Sequence, residues 1–347
     1  MFSIGKRTIG PEQPVFIVAE ISGNHNRDID RAKAIIDAAA DAGGDAVKLQ
    51  TYTPDTITIN SRRPEFIVRS GKDWKGKTLY ELYREAYTPW EWHAELFAHA
   101  KKRSLICFSA PFDSTAVDFL ETIRNPVYKV ASFEVVDIPL LERIGKTKKP
   151  VIMSRGMAGV EEIALAIQTL RKFGTKEIVL LQCVSAYPAE PQRMHLSMIP
   201  DMRRRFKVLT GLSDHSLTNE AAIASVALGA VLIEKHLTLK RKDGGPDASF
   251  SLEPQEFAQL VTSVRVVESA IGTPSYKPSR REKDNMQFRK SLFAVEDIKK
   301  GQQLTEKNIR SIRPGNGLPP KRYRAILGKS AAKDIKRGTP LADRLIY

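Results

Sequence analysis

Eight short runs rich in Val, Ile, Leu and Phe precede residue 240, at positions 15–21, 46–51, 105–109, 127–132, 151–154, 178–183, 208–212 and 231–236. Between them lie stretches with helical apolar spacing, such as 29–42, 90–103, 115–123, 160–173 and 219–228. Strands that alternate with helices must pair in parallel, and strands covered on both faces read as continuous apolar runs. Eight such units predict an α/β fold of the (β/α)₈ type, a TIM barrel. The competing doubly wound sheet loses support because no Gly-x-Gly-x-x-Gly follows the first run.

Polar residues sit where these runs end. Glu20 closes the first, Lys48 and Gln50 lie in the second, and Ser109 closes the third. Lys129, Ser132 and Glu134 follow in the fourth, Ser154 in the fifth, and Ser185 and Tyr187 after the sixth. The seventh ends in Ser213-Asp214-His215 and the eighth in Glu234-Lys235-His236. In a barrel all these ends meet on one face, where active sites of this fold lie. His215 and His236, on adjacent strands, suit a divalent cation with open positions for substrate or water. Lys48 and Lys129 lie among apolar neighbours on strands without an edge, so they are expected to point inward at a bound anion. The serines at 132, 154, 185 and 213 add hydroxyl donors, and Glu20 and Glu134 are candidate acid and base groups. His93, His99 and His195 are expected at the surface, and His25 is a possible further polar group near the mouth. These residue types describe a metal-assisted barrel enzyme acting on an anionic phosphate, with lyase, aldol and hydrolase chemistry all open.

Charge separates the rest of the chain from this barrel. The formal net charge is +15, and residues 276–347 hold 19 Lys+Arg against 7 Asp+Glu, a net of +12. A Pro/Ser-rich stretch, Thr273-Pro274-Ser275-Tyr276-Lys277-Pro278-Ser279, precedes that tail. Within the tail, residues 297–304 (DIKKGQQL) are echoed by 334–341 (DIKRGTPL), as expected of a compact β-rich module with internal pseudo-symmetry. A nucleic-acid-binding tail is the reading from another class. It is disfavoured because the basic residues are spread through a turn-rich segment with few aromatics and no recognisable motif. The longest near-apolar run, 221–233, is too short to span a bilayer, so no membrane partner is expected. Two cysteines, Cys107 and Cys183, and no apolar leader at the N-terminus make a reducing cytoplasm the expected location.

Several segments together resemble the sialic acid synthase family. They are Ile17-Val18-Ala19-Glu20-Ile21-Ser22-Gly23-Asn24-His25, Asp45-Ala46-Val47-Lys48-Leu49-Gln50-Thr51, Tyr128-Lys129-Val130-Ala131-Ser132-Phe133-Glu134 and Met153-Ser154-Arg155-Gly156. Gly211-Leu212-Ser213-Asp214-His215-Ser216, Glu234-Lys235-His236, Gly245-Pro246-Asp247 and Ile312-Arg313-Pro314-Gly315-Asn316-Gly317 complete the pattern. Residues 50–56 (QTYTPDT) and 86–93 (AYTPWEWH) are most similar to the pseudaminic acid synthase branch of that family. The resemblance implies a TIM-barrel synthase domain at 1–272 with a β-hairpin at about 1–10, a linker at 273–284 and an antifreeze-like (SAF) domain at 285–347.

The implied reaction condenses phosphoenolpyruvate with an open-chain 2,4-diacetamido-2,4,6-trideoxy hexose, the L-altrose isomer, and releases phosphate. The implied enzyme is thus a carbon–carbon bond-forming transferase. N-acetylneuraminate or legionaminate synthesis is the alternative, with the same chemistry on another sugar. A Mn²⁺ or Mg²⁺ ion would sit at His215 and His236, and Glu20 and Glu134 at the reacting centre. Lys48, Lys129, Ser132, Ser154, Ser185 and Ser213 would hold phosphoenolpyruvate; Gln50, Tyr187, Asp247, Phe288 and Arg313 would face the sugar. The SAF domain would cap the partner's barrel in a swapped homodimer. Two positions depart from the family pattern. Ser185 replaces the Asn of the N-acetylneuraminate enzymes, and Ala110 replaces a Thr, leaving Ser109 or backbone amides to compensate. No sugar contact is carried over from the segment at 59–77.

Overall fold

The computed structural model describes residues 1–69 and 74–347. The chain divides into two compact units, Met1–Gly272 and Thr273–Tyr347. The first opens with an antiparallel hairpin of β1 (Phe2–Ile4) and β2 (Arg7–Ile9). Eight parallel strands then close a barrel: β3 (Phe16–Glu20), β4 (Ala46–Thr51), β5 (Ile106–Pro111), β6 (Tyr128–Val130), β7 (Val151–Ser154), β8 (Ile178–Cys183), β9 (Leu209–Asp214) and β10 (Leu232–His236). The strands follow one another around the barrel in chain order, and β10 pairs with β3 to close it. The eight-stranded expectation therefore holds. The main difference is β6, where the chain leaves the sheet after Val130 and turns into the 3₁₀ segment Glu134–Val136.

Strand pleating sorts the side chains. Alternate residues point into the barrel and the rest point outward to the helices. The outward set, including Ile17, Ala19, Val47, Leu49, Leu212 and Ile233, packs with Ile35, Ile36, Leu96 and Phe257 of the surrounding helices. The inward set begins apolar: Phe16, Val18, Ala46, Phe108, Ile152, Val179, Leu181 and Leu232 form one cluster with Ile4 and Ile9 of the hairpin. The hairpin thus plugs the N-terminal end of the barrel. Asp45 fastens the plug: its carboxylate accepts from the backbone N–H of Ile17 (2.8 Å), Nε of Arg7 (3.0 Å) and a guanidinium nitrogen of Arg265 on the helix Pro254–Ile271 (3.0 Å). No helix among the described residues is long and apolar enough to cross a membrane.

In the second unit β11 (Ser291–Ala294) pairs antiparallel with β12 (Ile309–Ile312) over a small core that includes Leu292, Leu304, Ile326, Ile335 and Leu341. The two echoed segments meet here as a pseudo-symmetric pair. Ile298 and Ile335 exchange both backbone hydrogen bonds at 2.8 Å. Asp297 accepts from the backbone N–H of Arg337 at 2.8 Å, and Asp334 from that of Lys300 at 2.9 Å.

Candidate active site

Above the apolar plug the inward positions turn polar. Lys48, Gln50, Lys129, Ser154, Ser213, Glu234 and His236 line a cavity of about 550 Å³ at the C-terminal ends of the strands. Register explains the grouping: Glu20 lies opposite Lys48 on one side and His236 on the other, and Ser213 lies opposite Glu234. A shallower depression of about 900 Å³ at the other end contains Arg7, Arg203 and Arg265, but these are tied to Asp45, the Gly229 carbonyl and Glu268.

Four charges are buried together. Lys48 pairs with Glu20 and lies 3.7 Å from Glu234; Lys129 lies 3.8 Å from Glu234 and donates to the Val130 carbonyl at 3.1 Å. Burial raises the Glu20 carboxyl to about 7 against the pull of Lys48. Burial works the same way on Glu234, but Lys129 and Lys48 outweigh it and hold this carboxyl below its usual range. Burial also lowers Lys129, with Glu234 opposing. Glu134, on the 3₁₀ turn after β6, is raised to about 7 chiefly by burial, with Lys129 opposing. Such a group exchanges protons near neutral pH.

The two histidines meet at the mouth with ring centroids 5.2 Å apart. Nδ1 of His215 lies 2.9 Å from the Val184 carbonyl, a contact that makes it the protonated nitrogen and frees Nε2. Burial holds His236 well below its ordinary value, so it stays neutral, and its buried Nδ1 has no partner among the described residues. Burial opposes charge on His215 too, but Cys183 and the Val184 carbonyl raise it above its ordinary value; the two imidazoles together suit a divalent cation. No group of three or more His, Cys, Asp or Glu side chains among the described residues suits a metal, so substrate and water would complete its coordination. Phe250 braces the pair, its ring 5.0 Å from His236 and 4.9 Å from Tyr187, which in turn lies 4.5 Å from His215.

Asp247 lines the same cavity and is bonded to Ser22, whose hydroxyl also accepts from Gln50 at 3.1 Å. Ser22 holds φ +50°, a left-handed conformation rare outside glycine. On the opposite side, Ser132 and Ser185 flank Gly156, at φ +48°. A Cβ on that glycine would fall 2.4 Å from Ser132 Cβ and 3.1 Å from Ser185 Oγ. The hydroxyls of Ser154 and Ser185 are buried without partners among the described residues. Unpaired buried donors beside two lysines are what an anion site requires.

The direction of the pleat sorts the polar residues at the strand ends. Ser109 points away from the cavity and bonds to Thr51 at 2.6 Å, so it cannot replace the hydroxyl missing at Ala110. Asp214 and Lys235 also face outward, as a buried pair at 2.6 Å. His93 is fully buried rather than at the surface, 2.8 Å from Thr51 and 3.2 Å from the Pro89 carbonyl. His25 bonds to Thr88 at 3.1 Å and takes no part in lining the cavity. Phe288 and Arg313 belong to the second unit, where both are exposed. Their loops are joined by the Gly315 N–H donating to the Gln287 carbonyl at 2.9 Å. Glu234, Ser22 and Phe250 were not singled out from the sequence as site residues. Spacing of two from His236 on one strand was the available signal for Glu234.

Comparison with known proteins agrees with this geometry. The NeuB family model matches residues 35–276 and the SAF domain model residues 289–345. A pseudaminic acid synthase of Helicobacter pylori is 44% identical over 95% of this chain and 97% of its own. A pseudaminic acid synthase of Campylobacter jejuni is 42% identical over 95% and 96%. Among solved structures, an N-acetylneuraminic acid synthetase of Leptospira borgpetersenii superposes with a TM-score of 0.72 at 32% identity, covering 83% of this chain and 95% of that one. With the family model spanning most of the barrel and full-length relatives of this similarity, the chain belongs to the NeuB family and ends in a SAF domain.

Proposed function

We propose that this chain is a pseudaminic acid synthase, which condenses phosphoenolpyruvate with 2,4-diacetamido-2,4,6-trideoxy-L-altrose and releases phosphate. The observation that carries this reading is the 42–44% identity to two pseudaminic acid synthases along almost the whole of each chain. The cavity is chemically consistent with it: ammonium groups, serine hydroxyls, imidazoles and carboxylates line it together. Lys48, Lys129, Ser132, Ser154, Ser185 and Ser213 hold the phosphate and carboxylate of phosphoenolpyruvate, while Gln50, Tyr187 and Asp247 orient the sugar. When bound at His215 and His236, a Mn²⁺ or Mg²⁺ ion supplies Lewis-acid polarisation of the sugar aldehyde. The enolpyruvate methylene carbon attacks the aldehyde carbon, water adds to the cationic carbon left behind, and the tetrahedral centre expels phosphate by C–O cleavage. Glu134, poised near 7, takes the proton from that water, and Glu20, paired with Lys48, holds the charge balance beneath. Phe288 and Arg313 of a partner subunit's SAF domain complete the sugar site in a swapped homodimer. The chain's two free, buried cysteines suit a reducing cytoplasm.

A panel of the diacetamido sugar, its legionaminate-type isomer and N-acetylmannosamine, each with phosphoenolpyruvate, tests the substrate by phosphate release. The diacetamido L-altrose should be turned over fastest; equal or faster turnover of N-acetylmannosamine would sink the reading. Rigorous chelation should abolish turnover and Mn²⁺ restore it, whereas full activity after chelation removes the role given to His215 and His236. Because Glu134 is a carboxylate only above about 7, activity should climb with pH through neutrality, and Glu134→Gln should be slow and lose that climb. A Glu134→Gln profile of unchanged shape would transfer the role elsewhere. For the swapped dimer, inactive Lys129→Ala and Arg313→Ala variants should regain activity when mixed and allowed to exchange subunits, since each mixed dimer keeps one intact site. Absence of recovery despite demonstrated exchange would mean capping within one chain.

A further inference from the structure

An amphipathic helix normally lays its apolar stripe on the protein core. The helix Leu79–Ala86 between β4 and β5 does otherwise. Its start is fixed by a capping box, in which the Thr78 hydroxyl accepts from the Glu81 N–H at 3.1 Å and the Glu81 carboxylate from the Thr78 N–H at 2.8 Å. That start sets Leu79, Leu82, Tyr83 and Ala86 on one face, at helical spacing, and all four line the substrate cavity. Only Leu82 is buried; Leu79, Tyr83 and Ala86 remain half-buried, so this stripe faces open space rather than core. Val68 and Trp74, from the segment just before the helix, extend the wall. Trp74 leans on Tyr187 with ring centroids 6.3 Å apart, and its indole N–H is buried with no acceptor among the described residues. The cavity lining therefore combines the lysines and serines with an apolar stretch of Val68, Leu79, Leu82 and Ala86, next to the indole N–H of Trp74.

We propose that this helix is the specificity-determining wall for the sugar. Its leucines receive the carbon that bears a methyl instead of a hydroxyl, and the Trp74 N–H donates to an acetamido carbonyl oxygen. The proposal deepens the sugar assignment above and rests on it. A hydroxyl set against Leu79 and Leu82 would lose water without gaining a partner, whereas a methyl loses nothing there. The Trp74 donor, stranded without substrate, gains an acceptor only from a ligand that carries one.

The test is steady-state kinetics of the wild type, Leu79→Gln and Trp74→Phe on the diacetamido-trideoxy sugar and its 6-hydroxy counterpart, with KM for phosphoenolpyruvate measured alongside. Leu79→Gln should reduce the preference for the 6-deoxy sugar about tenfold. Trp74→Phe, which keeps the ring and removes the donor, should raise the sugar KM about tenfold. An unchanged KM for phosphoenolpyruvate in both variants reports an intact fold and anion site. Unchanged 6-deoxy preference together with unchanged sugar KM overturns the proposal. Should the wild type instead prefer N-acetylmannosamine, the substrate reading fails by itself. Trp74→Phe is then read on that acetamido sugar, where a raised KM still supports the donor and an unchanged one rejects it.

Discussion

Two ammonium groups inside a closed barrel have to be neutralised before anything can be built above them. Taking a lysine out of water costs several kcal/mol unless it is paired. Lys48 has Glu20 and Glu234; Lys129 has Glu234 at 3.8 Å and one backbone carbonyl. The two carboxylates lie on the adjacent strands β10 and β3 and the two ammonium groups on β4 and β6, so the set stands close to neutrality. An anion entering the cavity would meet an arrangement already assembled, which is the condition for preorganised electrostatics. Beneath, the apolar plug formed with the hairpin keeps water from the other end of the barrel and holds the local dielectric low.

The same pleat gives β10 two tasks. Glu234 and His236 face the cavity, while Lys235 between them faces outward and is fully buried. Its ammonium donates to Asp214 at 2.6 Å, to the Ser216 carbonyl at 2.8 Å and to the Thr218 carbonyl at 2.6 Å. Those acceptors bracket His215, so one imidazole is carried on a strand and the other on a turn clamped to that strand from behind. Two imidazoles held in this way are fixed relative to each other before anything binds.

Most of the formal charge lies in the last 72 residues, on a unit whose core is small. Its fold depends on the pairing of its two echoed segments: each aspartate caps the backbone of the other copy, and Asp297 and Asp334 also take the ammonium groups of Lys336 (2.9 Å) and Lys299 (3.4 Å). Exposed ion pairs of this kind contribute little to stability. The backbone bonds they accompany define the module. The remaining positive charge is solvated surface.

Period and order along the chain determined a parallel α/β fold, and eight runs with no Gly-x-Gly-x-x-Gly after the first favoured the barrel over a doubly wound sheet. They also determined the neighbourhood of the site, since Glu20, Lys48, Lys129, Ser154, Ser213, His215 and His236 all fall at or near strand ends. The inward or outward direction of each side chain was not legible where strand bounds were uncertain by a residue, and a shift of one reverses every facing. Ser109 was misjudged for that reason; Asp214, Glu234 and Lys235 were all legible as strand-end residues, and the pleat decided that Glu234 alone of the three lines the cavity. The apolar wall at 79–86 was hidden differently: its heptad-like spacing is that of any core-facing helix, and only the tertiary structure decided that the stripe meets a cavity. Local sequence specifies which face of a helix is apolar; what that face meets is settled by chain segments far away.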